Sequence, residues 1–190
     1  MYSLIAGLIL FFGTHSISIV APYWRDRAVA RIGAGAWRGM YSVLSLLSLW
    51  LIIHGFGLAR AAPIIWYQPA AWTHGVARVL MLPVFPLLLA AYLPGRIQAA
   101  AKHPMLAAIK LWAFAHLLAN GTAADVLLFG GLLAWAVIDR ISLKRRPPRA
   151  VPGAKASKWN DAIVVVAGLA LYFLVVYWAH ERLFGVSPLS

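Results

Sequence analysis

Six histidines stand out in a chain of 190 residues that otherwise avoids charge and carries only five acids. Most lie within, or at the ends of, stretches apolar enough to cross a bilayer. A titratable ring in hydrocarbon is costly unless it is paired, wetted or ligated. His15 and His116 lie deepest in apolar sequence, so imidazole chemistry is expected to begin with them. The chain has no cysteine, which excludes disulfides, iron–sulfur clusters, thiolate haem ligation and cysteine zinc sites. Metal-hydrolase spacing, phosphate-binding loops, dinucleotide-binding glycines and a nucleophile elbow are absent as well. With so few acids, carboxylate acid–base catalysis has little to draw on. Two histidines on different helices, amid aromatic residues, are the ingredients of a bis-histidine b-type haem.

The neighbours of each histidine sharpen this. In GTHSIS, Thr14 and Ser18 are four apart and share a helix face, with His15 one step round. That polar side is expected to face a bundle interior, either as ligand or as a hydrogen-bonding link between helices. Trp112 and Asn120 flank His116 at i−4 and i+4, so all three line one face; Asn120 is placed to fix the ring's tautomer. His103 precedes Pro104, a favourable helix start. His54 and His74 read as interfacial, and His180, followed by Glu181 and Arg182, as a solvated helix end. Arg78 lies one turn after His74 inside an apolar stretch and needs a partner. Asp125 and a haem propionate are the two candidates.

These residues must be carried by membrane helices. Hydrophobic residues make up 63% of the chain and mean hydropathy is +0.79, against about 45–50% apolar in soluble domains. The fold class expected is an all-α integral membrane protein, one domain over 1–190, built as a bundle of about six transmembrane helices. The apolar segments are about 2–21, 38–58, 72–93, 104–120, 123–139 and 160–181, near the roughly 20 residues a crossing needs. The N-terminal segment lacks a basic leader and a small-residue cleavage site, so it reads as a retained helix. Pro83, Pro86 and Pro94 predict a kinked or broken third span.

The net charge of +12 falls between the spans. Loops 22–37, 94–103 and 140–159 are basic; 59–71 and 121–122 are not. This alternation predicts both termini periplasmic. The strongly basic, Pro-rich loop 140–159 reads as a flexible cytoplasmic connector resting on anionic headgroups, and no nucleic-acid partner is implied.

Three stretches carry a family resemblance: FFGTHS, WRGMYSVLSLLSLWLI and KHPMLAAIKLWAFAHLLANG. In order and spacing they resemble the NnrU family of bacterial membrane proteins, linked to nitrite and nitric oxide reduction. The resemblance implies an inner-membrane protein of nitrogen-oxide metabolism. The same domain is similar to plastid 15-cis-zeta-carotene isomerase, a haem b enzyme gated by the redox state of its iron. That likeness implies haem b with His15 and His116 as axial ligands, His103 in the same region, and an apolar substrate. The isomerase's cysteine three residues before its second histidine is replaced here by Ala113, so its ligand switching does not carry over.

A second likeness, around His103-Pro104, is to isoprenylcysteine carboxyl methyltransferases. It implies S-adenosylmethionine contacted by His103 and Asn120. A third reading is a non-enzymatic partner that assembles a reductase or delivers haem. Depth bears on the ligand pair. At about 1.5 Å per residue, His15 lies roughly 20 Å below the outer face and His116 within about 6 Å of it. If tilt does not close that gap, His54 becomes the partner of His116.

Overall fold

A computed structural model describes residues 1–146, 149 and 153–189. Its helices are α1 (Tyr2–Val20), α2 (Pro22–Ile32), α3 (Ala34–Ala61), α4 (Ala71–Met81), α5 (Val84–Ala90), α6 (Arg96–Ala101), α7 (Pro104–Ala119), α8 (Ala123–Asp125), α9 (Gly131–Ser142), α10 (Asn160–Leu174) and α11 (His180–Phe184). A π segment, Val126–Gly130, joins α8 to α9, and another, Val175–Ala179, joins α10 to α11. The expected all-α membrane class holds. Four helices are long and apolar enough to cross a bilayer: Tyr2–Val20, Ala34–Ala61, Ala71–Ala90 and Asn160–Phe184.

The other two expected spans fall short of that standard. Helix α7 is apolar but has 16 residues, about 24 Å at 1.5 Å per residue. The run from Ala123 to Ser142 carries Asp125, Asp139 and Arg140. The proline-rich third span does break, between Met81 and Val84. In the basic connector 140–159, residues 147, 148 and 150–152 lie outside the described residues.

The chain forms two compact units, Met1–Tyr67 with Thr122–Pro147, and Gln68–Gly121 with Pro148–Ser190. In the first, α1 packs along α3 at very close range. A Cβ added at Gly7 would meet the Ile52 backbone nitrogen at 2.8 Å, and one at Gly55 would collide with the backbone of Leu4. Small residues are what allow membrane helices to approach this closely. Thr122 and Asp125 form a capping box at the start of α8: Thr122 N–H donates to the Asp125 carboxylate at 2.9 Å, and Asp125 N–H donates to Thr122 Oγ1.

In the second unit, Gly168 of α10 lies against Pro86 of α5, where a Cβ would sit 2.5 Å from the proline nitrogen. Thr73 Oγ1 donates to the Leu118 carbonyl at 2.7 Å, tying α4 to α7. Buried Asn160 donates from Nδ2 to the carbonyls of Pro94 and Lys155 at 2.8 and 3.1 Å. Replacing Asn160 by alanine strands both carbonyls, and is expected to lower the stability of the detergent-solubilised protein by about 1–3 kcal/mol. A thermal melt indistinguishable from the parent would show that this anchor contributes nothing.

Candidate functional site

Three of the residues put forward from the sequence, Arg78, His116 and Asn120, line a cavity of about 150 Å³ in the second unit. His74, Tyr172 and His180 line it with them. Local structure brings them together. His74 and Arg78 are one turn apart on α4, and His116 and Asn120 one turn apart at the end of α7. Tyr172 and His180 are eight residues apart, which on an α-helix would put them on diverging faces. The intervening π segment takes up an extra residue, so eight residues turn about as far as seven in an α-helix, close to two full turns. Tyr172 and His180 therefore share the cavity face. The Tyr172 hydroxyl donates to the Arg78 carbonyl at 3.1 Å, which links α10 to α4.

Gly185 ends α11 with φ of 68°, a left-handed conformation that glycine adopts readily. The reversed chain returns over the site, and Ser187 joins the lining. His180 Nδ1 donates to the Val186 carbonyl at 2.7 Å and pins this return. His180 is thus half-buried and part of the site, against the expectation of a solvated helix end. No signal within a single helix could have shown this, because the π segment and the chain reversal decide it.

His116 Nδ1 donates to the Trp112 carbonyl at 2.8 Å, and the two rings lie 5.0 Å apart. The proton on Nδ1 leaves the lone pair on Nε2, the arrangement by which metal-binding imidazoles are commonly oriented. The tautomer is set by this carbonyl, a task the sequence reading gave to Asn120. Asn120 Nδ2 donates to the His116 carbonyl at 2.9 Å and closes the end of α7.

His15 belongs to the first unit. Its Nδ1 likewise donates to the carbonyl four residues back, that of Phe11, at 2.9 Å. The ring stacks on Phe11 at 3.9 Å and has Tyr41 and Trp135 at 5.1 and 6.1 Å. Beside it, the buried Trp135 Nε1 has no hydrogen-bond partner among the described residues. Thr14 is buried, so the polar side of α1 does turn inward.

The remaining candidates are placed elsewhere. His103 is the N-cap of α7 and Asn120 its C-cap, roughly 25 Å apart at 1.5 Å per residue. They stand at opposite ends of α7. His54 is exposed and stacked on Trp50 at 5.4 Å. Arg78 has no ion pair among the described residues, and Asp125 commits its carboxylate to Thr122. Asp125 and Arg78 belong to different units, and within its own unit Asp125 serves the capping box.

Among the described residues no three His, Cys, Asp or Glu side chains are gathered for a metal ion. Haem needs no such cluster, since the macrocycle supplies four nitrogens and the protein only axial ones. The donor chemistry of His15 and His116 fits that need. The cavity alone is below the roughly 300–1,000 Å³ of sites for larger ligands. It has room for one arm of a large ligand or for a small ligand whole.

No curated protein and no solved structure matches the chain. The family profile described as NnrU protein matches residues 3–188, almost from end to end and across both units. The chain belongs to the NnrU family.

Proposed function

We propose that this chain is a haem-b-binding membrane protein of nitrogen-oxide metabolism, with intramembrane His116 and His15 as the iron-binding imidazoles. The observation that carries the reading is shared by both rings. Each holds its Nδ1 proton on the backbone carbonyl four residues back, which leaves Nε2 as the ligating atom. Aromatic rings flank both imidazoles, as suits a flat apolar cofactor. Bound haem would supply a one-electron change at its iron. The chain's own part is to fix two tautomers, to keep water from the rings with Phe11, Trp135 and Trp112, and to anchor the end of α7 through Asn120. The separation of His103 from Asn120 favours this reading over a methyltransferase. An apolar isomerisation substrate, or a reductase that receives haem or electrons, is the class of partner it implies.

The finer topology is part of the same proposal. Six crossings with both termini periplasmic, in a bacterial inner membrane, account for the alternation of basic and neutral loops. The run from Ala123 to Ser142 supplies the fifth crossing, and α7 a short fourth one.

The test is an absorption spectrum of the full chain purified in detergent after expression with ample haem, first oxidised and then reduced with dithionite. A sharp reduced α-band of the b-cytochrome kind is expected. A flat visible spectrum would overturn the proposal.

A further inference from the structure

The lining of the cavity in the second unit is part polar, with His74, Arg78 and Asn120, and part apolar, with Met81, Phe85 and Val176. No aspartate or glutamate lines it. Arg78 is half-buried on a helix long and apolar enough to cross a membrane, and among the described residues no carboxylate of its own unit pairs with it. An intramembrane guanidinium in a cavity without an acidic wall is a ready receptor for an anion that enters the cavity. The site contains one permanent cation. His116 and His180 hold their Nδ1 protons on backbone carbonyls, so their remaining ring nitrogens are poised as acceptors. One guanidinium balances one negative charge, and its planar fork matches a carboxylate in two parallel hydrogen bonds.

We propose that this cavity is a carboxylate site, in which Arg78 receives the carboxylate of a ligand whose short apolar arm lies against Met81, Phe85 and Val176. Its volume of about 150 Å³ suits an arm of a few carbons. Two sources present that chemistry: a propionate of bound haem, and a free short-chain carboxylic acid. The site shares its walls with the haem reading but rests on Arg78 and the cavity shape, not on iron.

Hexanoate is the probe. The full chain in detergent is titrated with sodium hexanoate against sodium chloride at equal ionic strength, and the thermal midpoint is followed. The parent is expected to show a saturable rise. Arg78→Gln is expected to weaken the apparent affinity roughly tenfold to a hundredfold, as loss of a charged hydrogen-bonded pair does. Arg78→Lys keeps the charge without the fork and is expected to fall between; it carries the comparison alone if Arg78→Gln does not fold.

Identical titrations of the parent and its Arg78 variants, or no saturable rise in the parent, would overturn the proposal. Repeating the titration after haem loading separates the sources. If bound haem abolishes the hexanoate response, the propionate is the natural occupant; if the response persists, a free acid is. A protein that binds hexanoate through Arg78 yet never takes up haem would remove the haem reading and leave this one standing.

Discussion

Gly55→Leu should be among the most damaging single substitutions in the first unit. At Gly55 the backbones of α1 and α3 touch, so a Cβ would fall on the main chain of Leu4. Backbone cannot rotate aside as a side chain can. The helices must separate, and contacts such as the one at Gly7 loosen with them. Overpacking usually costs about 1–3 kcal/mol, and a clash with main chain puts this variant at or beyond the top of that range. The control is two residues on. Gly57 has nothing within 4 Å of its Cβ position, so Gly57→Ala should be neutral or stabilising by up to about 1 kcal/mol, the helix-propensity difference. Thermal melts and size-exclusion profiles in detergent compare them. If Gly55→Leu melts with Gly57→Ala, the close approach of α1 to α3 is not a feature of the folded protein.

The largest functional effect is expected at His116. His116→Ala should remove the reduced α-band entirely while the protein still elutes as a folded species, because the ring is only partly buried. His116→Gln sharpens the test: it keeps a polar side chain that can hydrogen-bond, but offers no imidazole nitrogen. A merely structural histidine tolerates that change; a ligand does not. His116→Met should retain partial six-coordination with a raised potential, as methionine ligation does in cytochromes c. His15→Ala should match His116→Ala, whereas His54→Ala, at an exposed ring stacked on Trp50, should leave the spectrum unchanged. Full haem content in both His15→Ala and His116→Ala would refute the assignment. Loss in His54→Ala with retention in His15→Ala would transfer the second ligand to His54.

Much of this was legible along the chain because it depends on local sequence. The apolar runs specify membrane helices, since backbone polar groups in hydrocarbon must be satisfied within the segment. Pro104 after His103 marks the start of α7, and Pro83 marks the break between α4 and α5. The i, i+4 spacing placed Arg78 beneath His74, and Asn120 and Trp112 about His116. The bonds that fix both imidazoles are also local, running to carbonyls four residues back, although the sequence alone did not say that backbone would outcompete Asn120.

Other features depend on choices made between elements. The sequence offered Asp125 to Arg78 by charge and depth; the structure shows the local use of that carboxylate, which accepts from Thr122 three residues away, a closure of low entropic cost. His180 read as a solvated end because the charged Glu181 and Arg182 follow it. A π segment and a left-handed Gly185 return it to the cavity, and neither has a reliable signature in composition. The sequence by itself determined the helical, apolar class and the positions of the main helices, because hydropathy and 3.6-residue periodicity act over a few turns. Only the tertiary structure decided which side chains share a cavity and that Arg78 meets no acid there, because those outcomes depend on how separate helices pack.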